Sequence, residues 1–125
     1  MAPATVAAAI ETTRLGDLID RRPRSLSGGE ARRAEIALAI ARSPRCLLAD
    51  EPFLGIVPAD AERLALAFRR LAHAGCAVVV TGHETGVLLE LADDVLWQTA
   101  GTTHALGPPA TARRHDQLRR EYLIA

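Results

Sequence analysis

Residues 26–30 read Leu26-Ser27-Gly28-Gly29-Glu30, and the run ARRAEIALAIARS follows directly. Ser27 with Glu30 three residues on is the S-x-x-E pattern that caps a helix start. Two glycines at that start let a backbone approach another group closely. The first turn of a helix also offers N–H groups and the positive end of its dipole to an anion. The stretch therefore reads either as an ordinary capped helix or as part of a phosphate site. A phosphate cradle of the G-x-x-x-x-G-K-[ST] kind needs a lysine, and every basic residue of this chain is arginine. The question raised is whose phosphate the stretch could hold.

The neighbouring sequence sets the frame. A helix is predicted from about Gly28 to Arg42, with Ile36, Ala37, Ile40 and Ala41 on one face and Arg32, Arg33 and Glu35 elsewhere. Ser43-Pro44 stops it. Upstream, residues 4–13 suit a helix by propensity, and residues 14–25 read as a charged connector. Downstream, Cys46–Ala49 is apolar without alternation, as in a strand covered on both faces, and it runs into Asp50-Glu51-Pro52. Pro58 and Asp60 begin a helix that carries Leu64, Phe68, Leu71 and Ala72 and ends at Gly75. Residues 76–81 repeat the buried-strand pattern, and Gly82-His83-Glu84 leads into a helix over 85–92. Residues 95–106 read as a hairpin turning at Ala100-Gly101, and a charged helix spans 110–123. Alternating helices and strands predict an α/β fold: parallel strands with flanking helices, then a small C-terminal hairpin and helix.

Composition narrows the class. The chain has 125 residues, enough for one small domain, and is 49% apolar but only 3% aromatic. Its core must come mostly from Ala, Leu, Val and Ile, which bury less area per residue than aromatics. Fifteen acidic residues balance fifteen basic ones, without the basic excess of a nucleic-acid binder. Cys46 and Cys76 each open an apolar run and read as buried, inert thiols. No apolar run approaches the ~18 residues of a membrane span, and the Ala-rich start lacks a basic signal-peptide region. A cytoplasmic protein is the simplest expectation.

Three features bear on chemistry. Asp50 and Glu51 are adjacent carboxylates at the end of an apolar strand, where repulsion and lost hydration need an offset such as a metal ion or hydrogen-bond donors. A solvated turn at Pro52 is the plainer alternative. His83 lies two residues beyond the second strand pattern, able to bond a phosphate oxygen or orient water, or to be an ordinary loop histidine. In parallel sheets ligands gather at the carboxyl ends of strands, where all three residues fall. His73, His104 and His115 show no metal-ligand spacing.

LSGGE, then CLLADEPF, then VVVTGHE in this order resemble the C-terminal half of an ATP-binding-cassette (ABC) ATPase, over about Leu15 to Leu123. The resemblance implies a partial P-loop ABC ATPase core that binds ATP and Mg2+ and hydrolyses ATP to drive transport. It assigns Ser27, Gly28, Gly29 and Glu30 to the signature motif, facing the terminal phosphate of ATP held in trans. It assigns Asp50 to Walker B, holding Mg2+ through water, Glu51 to the catalytic carboxylate that polarises the attacking water, and His83 to the switch histidine. Implied partners are a second ATPase subunit carrying Walker A and transmembrane permease subunits. Membrane contact would come through those partners, at the inner face of the membrane, with no nucleic acid. The run after LSGGE, the DEPF variant and the ending RREYL resemble lipopolysaccharide-export subunits, then branched-chain amino-acid importers.

The sequence departs from the family pattern in two ways. The 25 residues before LSGGE resemble neither a Walker A nor a glutamine loop, so the expectation is a C-terminal fragment or short gene product, inactive alone. Val57 stands where the family usually places an aspartate that couples the two sites, with Asp60 three residues on as a partial substitute. The expected domains are 1–27, a remnant of the helical subdomain and connector; 28–107, the C-terminal part of the ATPase core; and 108–125, a helical tail. Strands 46–49, 76–81 and 95–98 are expected in one sheet that exposes edges, making the chain marginally stable or self-associating. Two other readings are a non-catalytic module that pairs with a complete ATPase, and a lobe of a DNA-repair or chromosome-type ATPase. The neutral net charge and the LADEPF run speak against the latter.

Overall fold

The computed structural model describes residues 3–123, which divide into two compact units, residues up to Gly82 and residues from His83 onward. The first unit begins with α1 (Pro3–Thr13). The left-handed Arg14 (φ 54°) ends it, and the Leu15 N–H closes back onto the Ile10 carbonyl. The connector contains two 3₁₀ turns, Gly16–Leu18 and Pro23–Ser25. Helix α2 (Gly28–Ala41) follows, then β1 (Cys46–Ala49), α3 (Pro58–His73) and β2 (Ala77–Val80). Gly75, at φ 98°, provides the left-handed turn after α3, and the Cys76 N–H bonds to the Leu71 carbonyl.

Helix α1 packs on α2, and α3 packs on both and on β2. Ile36, Ala37, Ile40 and Ala41 of α2 are buried, as their spacing predicts, with Leu64, Ala67, Phe68 and Leu71 of α3. Ala72, expected on that α3 face, is exposed, and Ala67 takes its place. Phe53 meets Phe68 edge to face, with ring centroids 6.0 Å apart. Phe68 is 1% exposed, and burying such a ring contributes about 1.5–3 kcal/mol.

Strands β1 and β2 are parallel, with Cys46 opposite Ala77 and Ala49 opposite Val80. The expectation of cover on both faces is corrected. Leu47 and Ala49 are buried, but Leu48 is 74% exposed, Val79 50%, and Cys46 is exposed rather than buried. With successive side chains on opposite faces, this unit covers one side of its two-stranded sheet. The three-stranded sheet is likewise corrected: 95–99 pairs antiparallel with 102–107 in a separate sheet. A helix on one side and a hairpin partner within reach of a two-residue turn satisfy those strands locally.

The second unit contains α4 (Thr85–Leu91), β3 (Val95–Thr99), β4 (Thr102–Gly107), α5 (Pro109–Ala112) and α6 (Asp116–Tyr122). Ala100 (φ 48°) and Gly101 (φ 77°) turn the hairpin with positive φ at both central positions, as a two-residue type I′ turn requires. Leu89, Trp97, Leu106, Ala112 and Leu118 form this unit's own core. The single terminal helix expected over 110–123 is broken in two. His115 leaves helical geometry (ψ 117°) and caps α6, its side chain accepting from the Leu118 N–H at Nδ1, 3.3 Å away.

Candidate functional site

The site is built from two places in the first unit, the start of α2 and the end of β1. At the start of α2, the Ser27 hydroxyl accepts from the Glu30 N–H at 3.2 Å, and Glu30 Oε1 accepts from the Ser27 N–H at 2.9 Å. The capping box is complete. Arg21 lies 3.4 Å from the Glu30 carboxylate and also donates to the Ser25 carbonyl. The Glu30 carboxyl is held below the usual carboxylate range, chiefly by the Ser27 N–H, against partial burial, with the Ser27 hydroxyl, Arg21 and Arg33 adding to the lowering. Ser27 and Gly28 are exposed, and a Cβ at Gly28 would meet nothing within 4 Å. Gly29 differs: it is buried, and a Cβ there would lie 2.3 Å from Asp60 Oδ2 and 2.8 Å from Ile56 Cγ2. The second glycine is thus explained by packing inside the chain, and the first faces open space.

Asp60 is occupied within this unit. It is 9% exposed, 3.6 Å from Arg33 Nε and 3.4 Å from Arg63. Arg33, expected off the buried face, lies on it, four residues before Ala37, and is 5% exposed. Its Nη1 donates to the Thr13 and Arg14 carbonyls at 3.3 and 3.1 Å. A buried guanidinium needs that set of acceptors, and one arginine therefore ties the end of α1, helix α2 and the start of α3 together. The Asp60 carboxylate is committed to that tie, which argues against its standing in for the aspartate absent at Val57.

At the end of β1, Asp50 is exposed and Glu51 half-buried, with Glu51 Oε2 shielded from solvent. Glu51 has φ 51°, the left-handed region that a non-glycine residue seldom adopts. Holding it there costs on the order of 1–3 kcal/mol, so neighbouring groups must fix it. Two do. The Thr81 hydroxyl accepts from the Glu51 N–H at 2.9 Å and donates to Asp50 Oδ1 at 2.5 Å. Arg32 Nη1, on α2, donates to the Glu51 carbonyl at 3.0 Å. The Thr81 N–H continues the strand ladder to the Ala49 carbonyl, 3.0 Å away. Thr81, Arg32 and the Asp60–Arg33 pair were not singled out by the sequence. The available signal was a hydroxyl closing the second strand level with the first strand's carboxylates.

The structure brings Asp50 and Glu51 together around Thr81, and Arg32 connects helix α2 to them. His83 opens the second unit. It is exposed, its N–H donates to Glu84 Oε2 at 3.2 Å, and its carbonyl accepts from the Thr85 N–H at 2.9 Å. Among the described residues no group of three or more His, Cys, Asp and Glu side chains could hold a metal ion. That donor set still fits magnesium of the kind carried by phosphate and water, which takes one or two carboxylates from the protein. Asp50, exposed and oriented through one oxygen by Thr81, fits that part. No helix among the described residues is long and apolar enough to cross a membrane.

Comparison with solved structures defines the class: this is the fold of ABC-type ATPase cores. The ADP conformation of MJ1267, an ATP-binding cassette of an ABC transporter, superposes with a TM-score of 0.78 at 21% identity, over 98% of this chain and 50% of that one. The sequence then gives the family. The family described as ABC transporter matches residues 2–54, which hold LSGGE and Asp50-Glu51. The molybdenum import ATP-binding protein ModC of Mycobacterium tuberculosis is 46% identical over 92 residues, 73% of this chain and 25% of ModC. The lipopolysaccharide export system ATP-binding protein LptB of Haemophilus influenzae is 33% identical over 114 residues, 91% of this chain and 47% of LptB. By these matches the chain belongs to the ABC transporter ATPase family, and it spans less than half the length of these curated relatives.

Proposed function

We propose that this chain lends the signature motif, Walker B and the switch histidine to a composite ATP site whose Walker A loop lies on a second polypeptide. The observation that carries the reading is the strand-end pair Asp50-Glu51, oriented through Thr81 and joined by Arg32 to the helix that LSGGE begins. Ser27 and Gly28, exposed at the start of that helix, present the Ser27 hydroxyl and the Gly28 N–H to the terminal phosphate of ATP in trans. Glu51 polarises the attacking water, a role that typically contributes ~10²–10⁴-fold. His83 contacts the phosphate and that water. Asp50 binds Mg2+ through water, and the ion, when bound, supplies charge neutralisation for the phosphates. The partners are a second ATPase subunit and transmembrane permease subunits, which place the chain at the inner face of the membrane. Within the family we read it as of the lipopolysaccharide-export type, because the likeness to LptB runs over 91% of the chain and that to ModC over 73%. The branched-chain amino-acid importer type is the alternative.

The second reading, a non-catalytic module that pairs with a complete ATPase, is favoured by the exposed apolar face of Leu48 and Val79. Turnover separates the two. The chain alone is expected to give no ATP hydrolysis, and mixing with a Walker A-bearing half is expected to give turnover that Glu51→Gln abolishes. Turnover by the chain alone that Glu51→Gln removes would refute the need for a partner. No turnover with any Walker A partner, beside ATP-dependent capture of one, would favour the module.

A further inference from the structure

We infer that Thr81 and Arg32 are positioning residues that hold the Glu51 backbone through the N–H on one side of its Cα and the carbonyl on the other. Arg32 thereby makes the signature helix a direct support of the carboxylate that polarises water. The inference rests on the proposed function for its catalytic meaning and on the geometry for the rest. The Glu51 N–H is bonded to the Thr81 hydroxyl at 2.9 Å, and the Glu51 carbonyl to Arg32 Nη1 at 3.0 Å. Between those two bonds lies the left-handed residue, φ 51°. A backbone conformation that few side-chain-bearing residues adopt persists only where its surroundings over-determine it, and the N–H and the carbonyl on either side of the Glu51 Cα are both fixed here. The Thr81 hydroxyl has one proton, which goes to Asp50 Oδ1, so its lone pairs face the Glu51 N–H. One hydroxyl thus sets the angle between two neighbouring carboxylates that would otherwise repel.

The two supports come from different elements. Thr81 follows the end of β2, and Arg32 stands in the second turn of α2, two residues beyond Glu30. A shift of α2 when its first turn meets a phosphate is therefore carried through one guanidinium to the Glu51 carbonyl. Arg32 connects the part of the chain that would sense ATP in trans to the part that acts on water.

The test uses the full chain in two arms. In the first, amide exchange at Glu51 is measured by NMR on the chain alone. Thr81→Val is expected to speed exchange at Glu51 about tenfold or more while the Leu48 and Val79 amides stay within about twofold, and Thr81→Ser is expected to restore protection. In the second, turnover is measured with a Walker A-bearing partner. Thr81→Val and Arg32→Gln are each expected to lower kcat about ten- to a hundredfold, as a misplaced group does, with KM for ATP unchanged. Thr81→Ser should recover most of it. Unchanged Glu51 exchange in Thr81→Val overturns the clamp. An equal loss in KM and in the melting midpoint overturns positioning in favour of a general structural role. If the unmodified chain gives no turnover with any partner, the functional reading fails, and the exchange arm alone decides the clamp.

Discussion

The two sheets of this chain are stabilised in opposite ways. The hairpin of β3 and β4 is joined by a two-residue turn, and a core drawn from the residues around it covers Trp97 and Leu106. The parallel pair β1 and β2 is joined through the whole of α3 and leaves Leu48 and Val79 facing outward. Parallel strands are ordinarily covered on both faces, so the pair is a partial layer, whereas an antiparallel hairpin with one covered face can leave the other, here Leu96 at 68% exposure, to solvent. The difference teaches where each unit is vulnerable. The hairpin depends on local turn chemistry, and the parallel pair depends on long-range contacts between α1, α2 and α3.

The largest effect should come from one of those long-range contacts. Gly29→Ala places a methyl 2.3 Å from Asp60 Oδ2, against a carboxylate already committed to Arg33 and Arg63. Overpacking of this kind costs about 1–3 kcal/mol. Gly28→Ala meets nothing within 4 Å and should stay within about 0.5 kcal/mol. Urea titration followed by far-UV signal should show the first shift and not the second. Trp97 is the single tryptophan, so its emission reads the hairpin unit and should keep its midpoint in both variants. Equal shifts in the two glycine variants would remove the packing account of Gly29. A Trp97 midpoint that follows Gly29→Ala would merge the two units into one cooperative block.

That pair of glycines also marks how far the sequence could be read. The motif LSGGE predicted the capped helix, and Ser27 and Glu30 form that cap in the structure. The hairpin was equally legible, because Ala100-Gly101 acts through its own dihedrals. The motif said nothing of why the second glycine is needed, since Asp60 lies thirty-one residues away. The same holds for Thr81 and Arg32: their partner Glu51 is 30 and 19 residues distant, and no periodicity records such pairs. Arg33 is a different case, since its position was legible and its burial was not. Helical spacing places it three, four and seven residues before Ile36, Ala37 and Ile40, on their face, but a buried charge there is intelligible only once the Thr13 and Arg14 carbonyls and Asp60 converge on it. The strand at 46–49 reads as fully covered because an apolar run carries no record of which face is left open, here that of Leu48.

A smaller effect tests that missing cover. Leu48 is 74% exposed, so Leu48→Thr should change stability by no more than about 0.5 kcal/mol. Its effect should appear in association instead. Sedimentation velocity over a concentration series is expected to show the unmodified chain gaining mass, through an apolar strand face and open edges. Leu48→Thr should stay monomeric to higher concentration. A monomeric unmodified chain throughout the series would mean that the partial layer is tolerated in water, and the contrast with the hairpin would then lose its consequence.

The smallest expected effect lies in the cap itself, and its sign follows from the Glu30 carboxyl. That group is held below its ordinary value of 4.5, mainly by the Ser27 N–H. A carboxylate with a lowered folded-state value binds its proton less readily in the folded chain than in the unfolded one. Its contribution to stability is therefore complete above the ordinary value and is lost as pH falls through the lowered one. In Glu30→Gln the amide cannot titrate, and an amide oxygen still accepts from the Ser27 N–H, more weakly than a charged one. The unmodified chain should thus be the more stable of the two above pH 4.5, and the gap between their urea midpoints should shrink as the solution is acidified below it. Added salt should narrow the gap by weakening the exposed Arg21 pair and should leave the Ser27 bond in place. A gap that is constant across the acid range would show that the cap works through hydrogen-bond geometry alone. The start of α2 would then resemble the turn of the hairpin, a local device indifferent to charge, instead of an end built around a carboxylate.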